Sequence, residues 1–355
     1  MHINFLALVW GYIIPIVLAL PSLDSLFQIK ANTDSDGGCS SQLPDPLGKW
    51  LSESRTLVNA GLQALSDAKN PSASENKVAK DYLWSYFNMS PDDTDAMNLV
   101  QTNLQTVKNF LDGQTTTANI PYLFCNDKWL QKLQRSDVAK DVNGNDIFEY
   151  DSTASDHLSP MSIENVPSYQ AWLWKVQKNG RIVRNNQVPY WSDDMRQYVF
   201  DINYGGKTYC TVSNDHLGAT QHGTTPSTIT LCPFAFTNNK AGETLGDKEP
   251  ARGLSITDIL PRSGTFYHEL FHLTIGNEHT PDITSKYSWT EQQKYLKTPD
   301  RIPSGYDENY QTLIRRNPET YLWFSVGYWY FQQTQWTSTN QRWSFHSGAG
   351  ELLQL

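Results

Sequence analysis

Residues 268–272 read His-Glu-Leu-Phe-His, and no other stretch restricts the fold so tightly. On a helix, positions i and i+4 share one face, so His268 and His272 can offer imidazole nitrogens to one Zn²⁺. Glu269 follows the first histidine and can point toward the open coordination position, where it takes a proton from the attacking water. Leu270, Phe271 and Leu273 are apolar and would bury the remaining faces. The plainer alternative is an ordinary buried helix carrying two hydrogen-bonded histidines. Both readings require a helix whose polar face is enclosed by the rest of the chain.

A catalytic zinc takes three protein ligands and leaves one position open. Four residues downstream could complete such a set: Glu278, His279, Asp282 and Asp307. Asp282 follows a turn containing Gly276 and Pro281, which could swing a carboxylate back under the helix.

The N-terminus bears on the compartment. Phe5 to Leu20 is an apolar run of sixteen interrupted by Pro15, nearer in length to a secretory h-region than to a membrane span. Residues 1–21 are therefore expected to be a signal peptide, leaving no membrane partner after its removal. Four cysteines, Cys39, Cys125, Cys210 and Cys232, fit two disulfides in an exported protein, with three pairings open. Asn88-Met89-Ser90 is a glycosylation sequon that fits the same compartment. The net charge of −9, without any long run of Lys and Arg, argues against nucleic acid as a partner.

Residues 22–47, rich in Ser, Asp, Gly and Pro toward their end, are expected to form a flexible N-terminal segment. From Trp50 the pattern turns helical, with Leu51, Leu57, Val58, Leu62 and Leu65 near one face. A second helix is expected over residues 76–89. A third should begin with Ser90 as N-cap and Pro91 at the first helical position, ending before Gly113. Strand-like alternation between residues 170 and 235, with a hairpin turn at Asn179-Gly180, predicts a small and mostly antiparallel sheet. Helical character returns from Ile256. The class is α+β, mainly helical.

"RSGTFYHELFH" at residues 262–272, "TPD" at 280–282 and "NPETYLWFS" at 317–325 resemble the aspzincins. These are the deuterolysin and peptidyl-Lys metalloendopeptidase group of secreted fungal zinc peptidases. "TITLCPFAF" is similar to a cysteine-bearing strand of that family, and the likeness spans roughly residues 50–330. It implies a zincin-like domain over residues 48–355 with the histidine motif on a central helix. Residues 126–200 would then be an insertion and residues 331–355 a C-terminal extension. It implies one Zn²⁺ per chain on His268, His272 and Asp282, Glu269 as general base, and protein or peptide substrates for a monomeric enzyme. Glu319 falls on an acidic family position, where it would line an anionic substrate pocket or orient a ligand. As an acid after Pro318 it would equally favour a helix start. The chain departs from the family pattern at His279, where the family has Gly, and at Ser285, where it has an oxyanion-stabilising Tyr. Tyr287 is the nearest substitute, with Tyr306 and Tyr310 behind it. A catalytically inactive scaffold kept for binding is the alternative these departures raise. A secreted recognition protein with a coincidental motif is a further one.

Overall fold

The computed structural model describes residues 20–114, 119–150, 157–205, 208–213, 215–283, 288–338 and 340–354. Residues 1–19, most of the expected signal peptide, lie outside them.

Residues 22–47 are a correction to the expected flexible segment. A short helix α1 (Leu23–Leu26) buries Leu23 and Leu26, and Phe27 is buried beside them. Strand β1 (Gln28–Ile29) follows, and a disulfide joins Cys39 to Cys125. Local composition registers the Ser, Asp and Gly but not a covalent tie reaching 86 residues along the chain. Closing a loop of that length restricts the unfolded chain by about 4–5 kcal/mol. The double replacement Cys39→Ser with Cys125→Ser should lower unfolding stability by that order in guanidinium titration. A change below about 1 kcal/mol would show that packing alone holds the segment.

Three long helices come next: α2 (Leu47–Lys69), α3 (Asn76–Phe87) and α4 (Thr94–Leu111). The expected face of α2 is the buried one, with Leu51, Leu57, Val58 and Leu65 inside and Leu62 half-buried. α4 starts later than expected. Asp93, not Ser90, is its N-cap and accepts from the Ala96 N–H, a stronger acceptor placed at the true first turn. Gly113 follows the end of α4 at φ +77°, a conformation that favours glycine.

Short strands fill the middle: β2 (Tyr122–Phe124), β3 (Gln131–Lys132), β4 (Phe148–Tyr150) and β5 (Leu158–Pro160). One helical turn, α5 (Gln170–Leu173), leads into β6 (Trp174–Val176) and β7 (Ile182–Arg184). Then come β8 (Gln187–Ser192), β9 (Gln197–Ile202), α6 (Tyr209–Val212), β10 (Gly218–Gln221), β11 (Thr228–Leu231) and α7 (Pro233–Thr237). The expected single sheet is several sheets. Four strands run in the order β1-β2-β11-β10, parallel at β1/β2 and β2/β11 and antiparallel at β10/β11. β3-β8-β9 form an antiparallel three-stranded sheet, while β4/β5 and β6/β7 are separate hairpins. Strands of two or three residues carry no readable alternation, so β1 and β2 left no signal. A second disulfide joins Cys210 to Cys232.

The last third supplies α8 (Ser263–Ile275), α9 (Trp289–Leu296), α10 (Tyr310–Ile314) and α11 (Pro318–Gln332). A hairpin of β12 (Gln341–Ser344) and β13 (Glu351–Gln354) ends the described chain. The class is α+β. α8 packs against α2, α4, α11, β10 and β11, so it is covered by helices on one side and sheet on the other. Close approach of α2 to α11 and α4 rests on Gly61, where a Cβ would sit 2.9 Å from Ser325 Oγ and 3.1 Å from a Leu104 methyl. The main core runs from Leu23 to Phe345 in sequence. Residues 124–232 also build two smaller clusters of their own, one around Trp129 and Tyr190 and one around Trp191 and Tyr198.

Candidate metal centre

α8 is apolar on most of its circumference, and Phe266, Tyr267, Leu270 and Phe271 are fully buried. Its start is tied to α2, because Ser263 donates to the Glu53 carboxylate, and an anion at a helix N-terminus is favourable. That bond ties the first residue of α8 to α2, while the two imidazoles are held by their own partners, Glu319 and Thr280. At the other end Gly276 takes φ +103°, which favours glycine, and turns the chain back. The His279 and Thr280 N–H groups both bond to Gly276 O, and the next residues bring Asp282 under the helix as the sequence suggested.

Three donor atoms converge there. His268 Nε2 and His272 Nε2 lie 3.1 Å apart, and Asp282 Oδ1 is 3.2 Å from each. Ligands at about 2.0–2.1 Å in tetrahedral directions around one ion are separated by about 3.3 Å, so the triangle has the size a small divalent cation needs. Proton accounting points the same way. Thr280 Oγ1 donates its only proton to Gly276 O at 2.8 Å, so its 3.0 Å contact with His272 Nδ1 must be received from the ring N–H. His268 Nδ1 lies 3.0 Å from Glu319 Oε2 and donates to that carboxylate. Each neutral ring then turns a bare Nε2 lone pair toward the other and toward an anionic oxygen. Three lone pairs at that spacing repel one another unless a cation or a proton sits among them. His268, His272 and Asp282 can therefore hold a metal ion.

The electrostatics follow from the same crowding. Burial alone disfavours a charged His268, but Asp282 and Glu319 outweigh it and raise its pKa above the ordinary imidazole value. For Asp282, burial works upward, and the two imidazoles overcome it and hold the carboxylate well below its usual range. Burial pushes Glu319 up, moderated by its bond to His268. The His268 and His272 side chains are 7% and 8% exposed against 38% for Asp282, so the centre opens on the aspartate side.

Glu269 is buried beside the triangle without belonging to it. Its Oε2 accepts from Thr220 Oγ1 of β10 at 2.8 Å, and the same hydroxyl lies 3.2 Å from the Glu269 carbonyl. His222, just past β10, reaches the His272 carbonyl at 2.9 Å through Nε2, while its Nδ1 meets Ser227 Oγ. Neither Thr220 nor His222 was recognisable beforehand, since their contacts cross about 50 residues and no spacing announces them.

The remaining candidates separate clearly. Glu278 and His279 form an exposed 3.7 Å pair in the turn, and Asp307 is exposed. Tyr287 and Ser285 lie outside the described residues. Tyr306 does approach: its hydroxyl makes a long 3.4 Å bond to the Asp282 carbonyl, and burial with the nearby Asp282 raises its pKa. Tyr310 instead stacks on Tyr295 at 4.2 Å. Glu319, read as a substrate-pocket acid or an orienting group, is buried against His268. Asn88 sits half-buried at the end of α3 with φ +48°. Comparison of the chain with protein-family models, curated proteins and solved structures returns no match.

A carboxylate on a ligating histidine raises its basicity and fixes its tautomer. Glu319→Gln is expected to weaken metal binding about tenfold, and Glu319→Ala up to about 100-fold, in competition titration against a chromophoric chelator. Unchanged affinity in both would reduce Glu319 to a helix-start acid.

Proposed function

We propose that the chain is a secreted zinc endopeptidase of the aspzincin kind, hydrolysing peptide bonds in protein substrates. The observation that carries this reading is the convergence of His268, His272 and Asp282 with Glu269 held beside them. A bound Zn²⁺ would supply Lewis acidity and lower the pKa of a water molecule toward about 7. Glu319 and Thr280 hold the two imidazoles with their lone pairs forward. Glu269 accepts a proton from the attacking water and passes it to the leaving amine, with Thr220 fixing one of its oxygens. Tyr287 is the nearest substitute in sequence for the family's oxyanion-stabilising tyrosine, and the Tyr306 hydroxyl meets the Asp282 carbonyl at 3.4 Å. Two disulfides suit an oxidising compartment, and no described helix is long and apolar enough to cross a membrane.

Ser285, standing where the family has its tyrosine, favours a second reading as an inactive zincin scaffold. One assay separates the two: cleavage of an unfolded protein by the full chain carrying one zinc. Cleavage that disappears in Glu269→Gln supports the enzyme; a fully loaded chain that never cleaves supports the scaffold.

A further inference from the structure

Lys175, Lys178, Arg181 and Arg184 fall within ten residues of a chain whose net charge is −9, and no Asp or Glu occurs between residues 165 and 192. They lie on the β6/β7 hairpin, whose register pairs Trp174 with Arg184, Lys175 with Val183 and Val176 with Ile182. Bonds from the Gln177 N–H to Arg181 O and from the Gly180 N–H to Gln177 O close its loop. Arg184 is engaged with Glu164 and sits over the Trp174 ring. Lys175, Lys178 and Arg181 form no ion pair among the described residues and are exposed.

The same hairpin exposes apolar side chains where a folded protein has no internal use for them. Val176 is 71% and Ile182 66% exposed, and they stand opposite each other on one face at the last pair before the loop. Trp172, one turn before the hairpin, is half-exposed. Leu173 at its base belongs to the small cluster of Ala139, Ile163, Val166, Trp191 and Tyr198, so the strands leave a packed platform.

Two requirements define the partner. Three unpaired cations call for an anionic surface, and a polyanion would satisfy them alone. Val176 and Ile182 cannot stack or hydrogen-bond, so they gain free energy only by leaving water for an apolar phase. An anionic bilayer presents both within a few ångströms, charge at the headgroups and hydrocarbon just beneath. Repulsion from the acidic remainder of the chain is screened beyond about 8–10 Å at physiological salt. We propose that the Trp174–Arg184 hairpin docks the protein on anionic lipid bilayers. Val176 and Ile182 enter the acyl boundary, and Lys175, Lys178 and Arg181 meet the headgroups. This departs from the expectation of no membrane partner and does not depend on the metal centre.

The test is co-sedimentation of the full disulfide-bonded chain with vesicles of phosphatidylcholine alone or mixed with phosphatidylglycerol. The chain should pellet with the mixed vesicles and not with the neutral ones. Val176→Ser with Ile182→Ser should lower partitioning about tenfold or more. Lys175→Ser and Lys178→Ser should lower it about fivefold each. Circular dichroism and the unfolding midpoint of all variants should match the parent, since the replaced side chains are exposed. Failure to pellet with mixed vesicles overturns the proposal, as does pelleting without vesicles, which would mark self-association. Binding that survives the aliphatic double variant but not loss of the lysines also overturns it, because the surface would then recognise a polyanion.

Discussion

Glu269→Gln is expected to lower cleavage of an unfolded protein by about 100- to 10,000-fold while leaving the bound metal in place. Glu269 is not one of the three converging donors, so its loss should not open the coordination set. Glutamine keeps the side-chain shape and can still accept from Thr220 Oγ1 through its carbonyl oxygen. What it lacks is a basic site for the proton of the attacking water. The loss should therefore fall on kcat and on kcat/KM alike, with KM nearly unchanged. A Glu269→Gln variant that retains most of the activity would remove Glu269 from the chemistry.

Phe324→Ala should destabilise the fold by about 3–5 kcal/mol, a large share of the roughly 5–15 kcal/mol that holds a native protein. α11 is buried on nearly every side, and the Phe324 ring packs on Phe87 at 5.0 Å, Tyr86 at 6.1 Å and Tyr82 at 6.4 Å. Removing it leaves a void where α3 meets α11, the helix that also carries Glu319 to His268. Guanidinium titration with chelator present isolates this cost from metal linkage, which would otherwise add stability to both proteins. A shift below about 1 kcal/mol would mean that the aromatic cluster collapses to fill the space.

The parts of the site written locally were legible in the sequence. His268 and His272 share a face by helical period, and Asp282 follows a glycine-containing turn of the length needed to return. Their partners were legible only where a motif carried them, as with Glu319. Thr220 and His222 come from a strand paired at long range, and no residue pattern near them says so. Elsewhere composition misled. The Ser- and Asp-rich segment before residue 47 is held by a disulfide and a parallel pairing with β2, both made with residues far along the chain. Residues 331–355, which the resemblance leaves as a C-terminal extension, bring Phe345 into the main core, where its carbonyl accepts from the Tyr86 hydroxyl. Buried apolar periodicity announces helices such as α2 and α3. Two- and three-residue strands have no period to announce.

The most direct check is metal analysis of the full chain beside Asp282→Ala, each purified without added metal and after mild dialysis. One zinc per wild-type chain, falling to a small fraction in the variant at unchanged circular dichroism, is the expected result. A wild type that holds no zinc even when it is supplied, or an Asp282→Ala variant that holds as much as the parent, would contradict a three-residue centre.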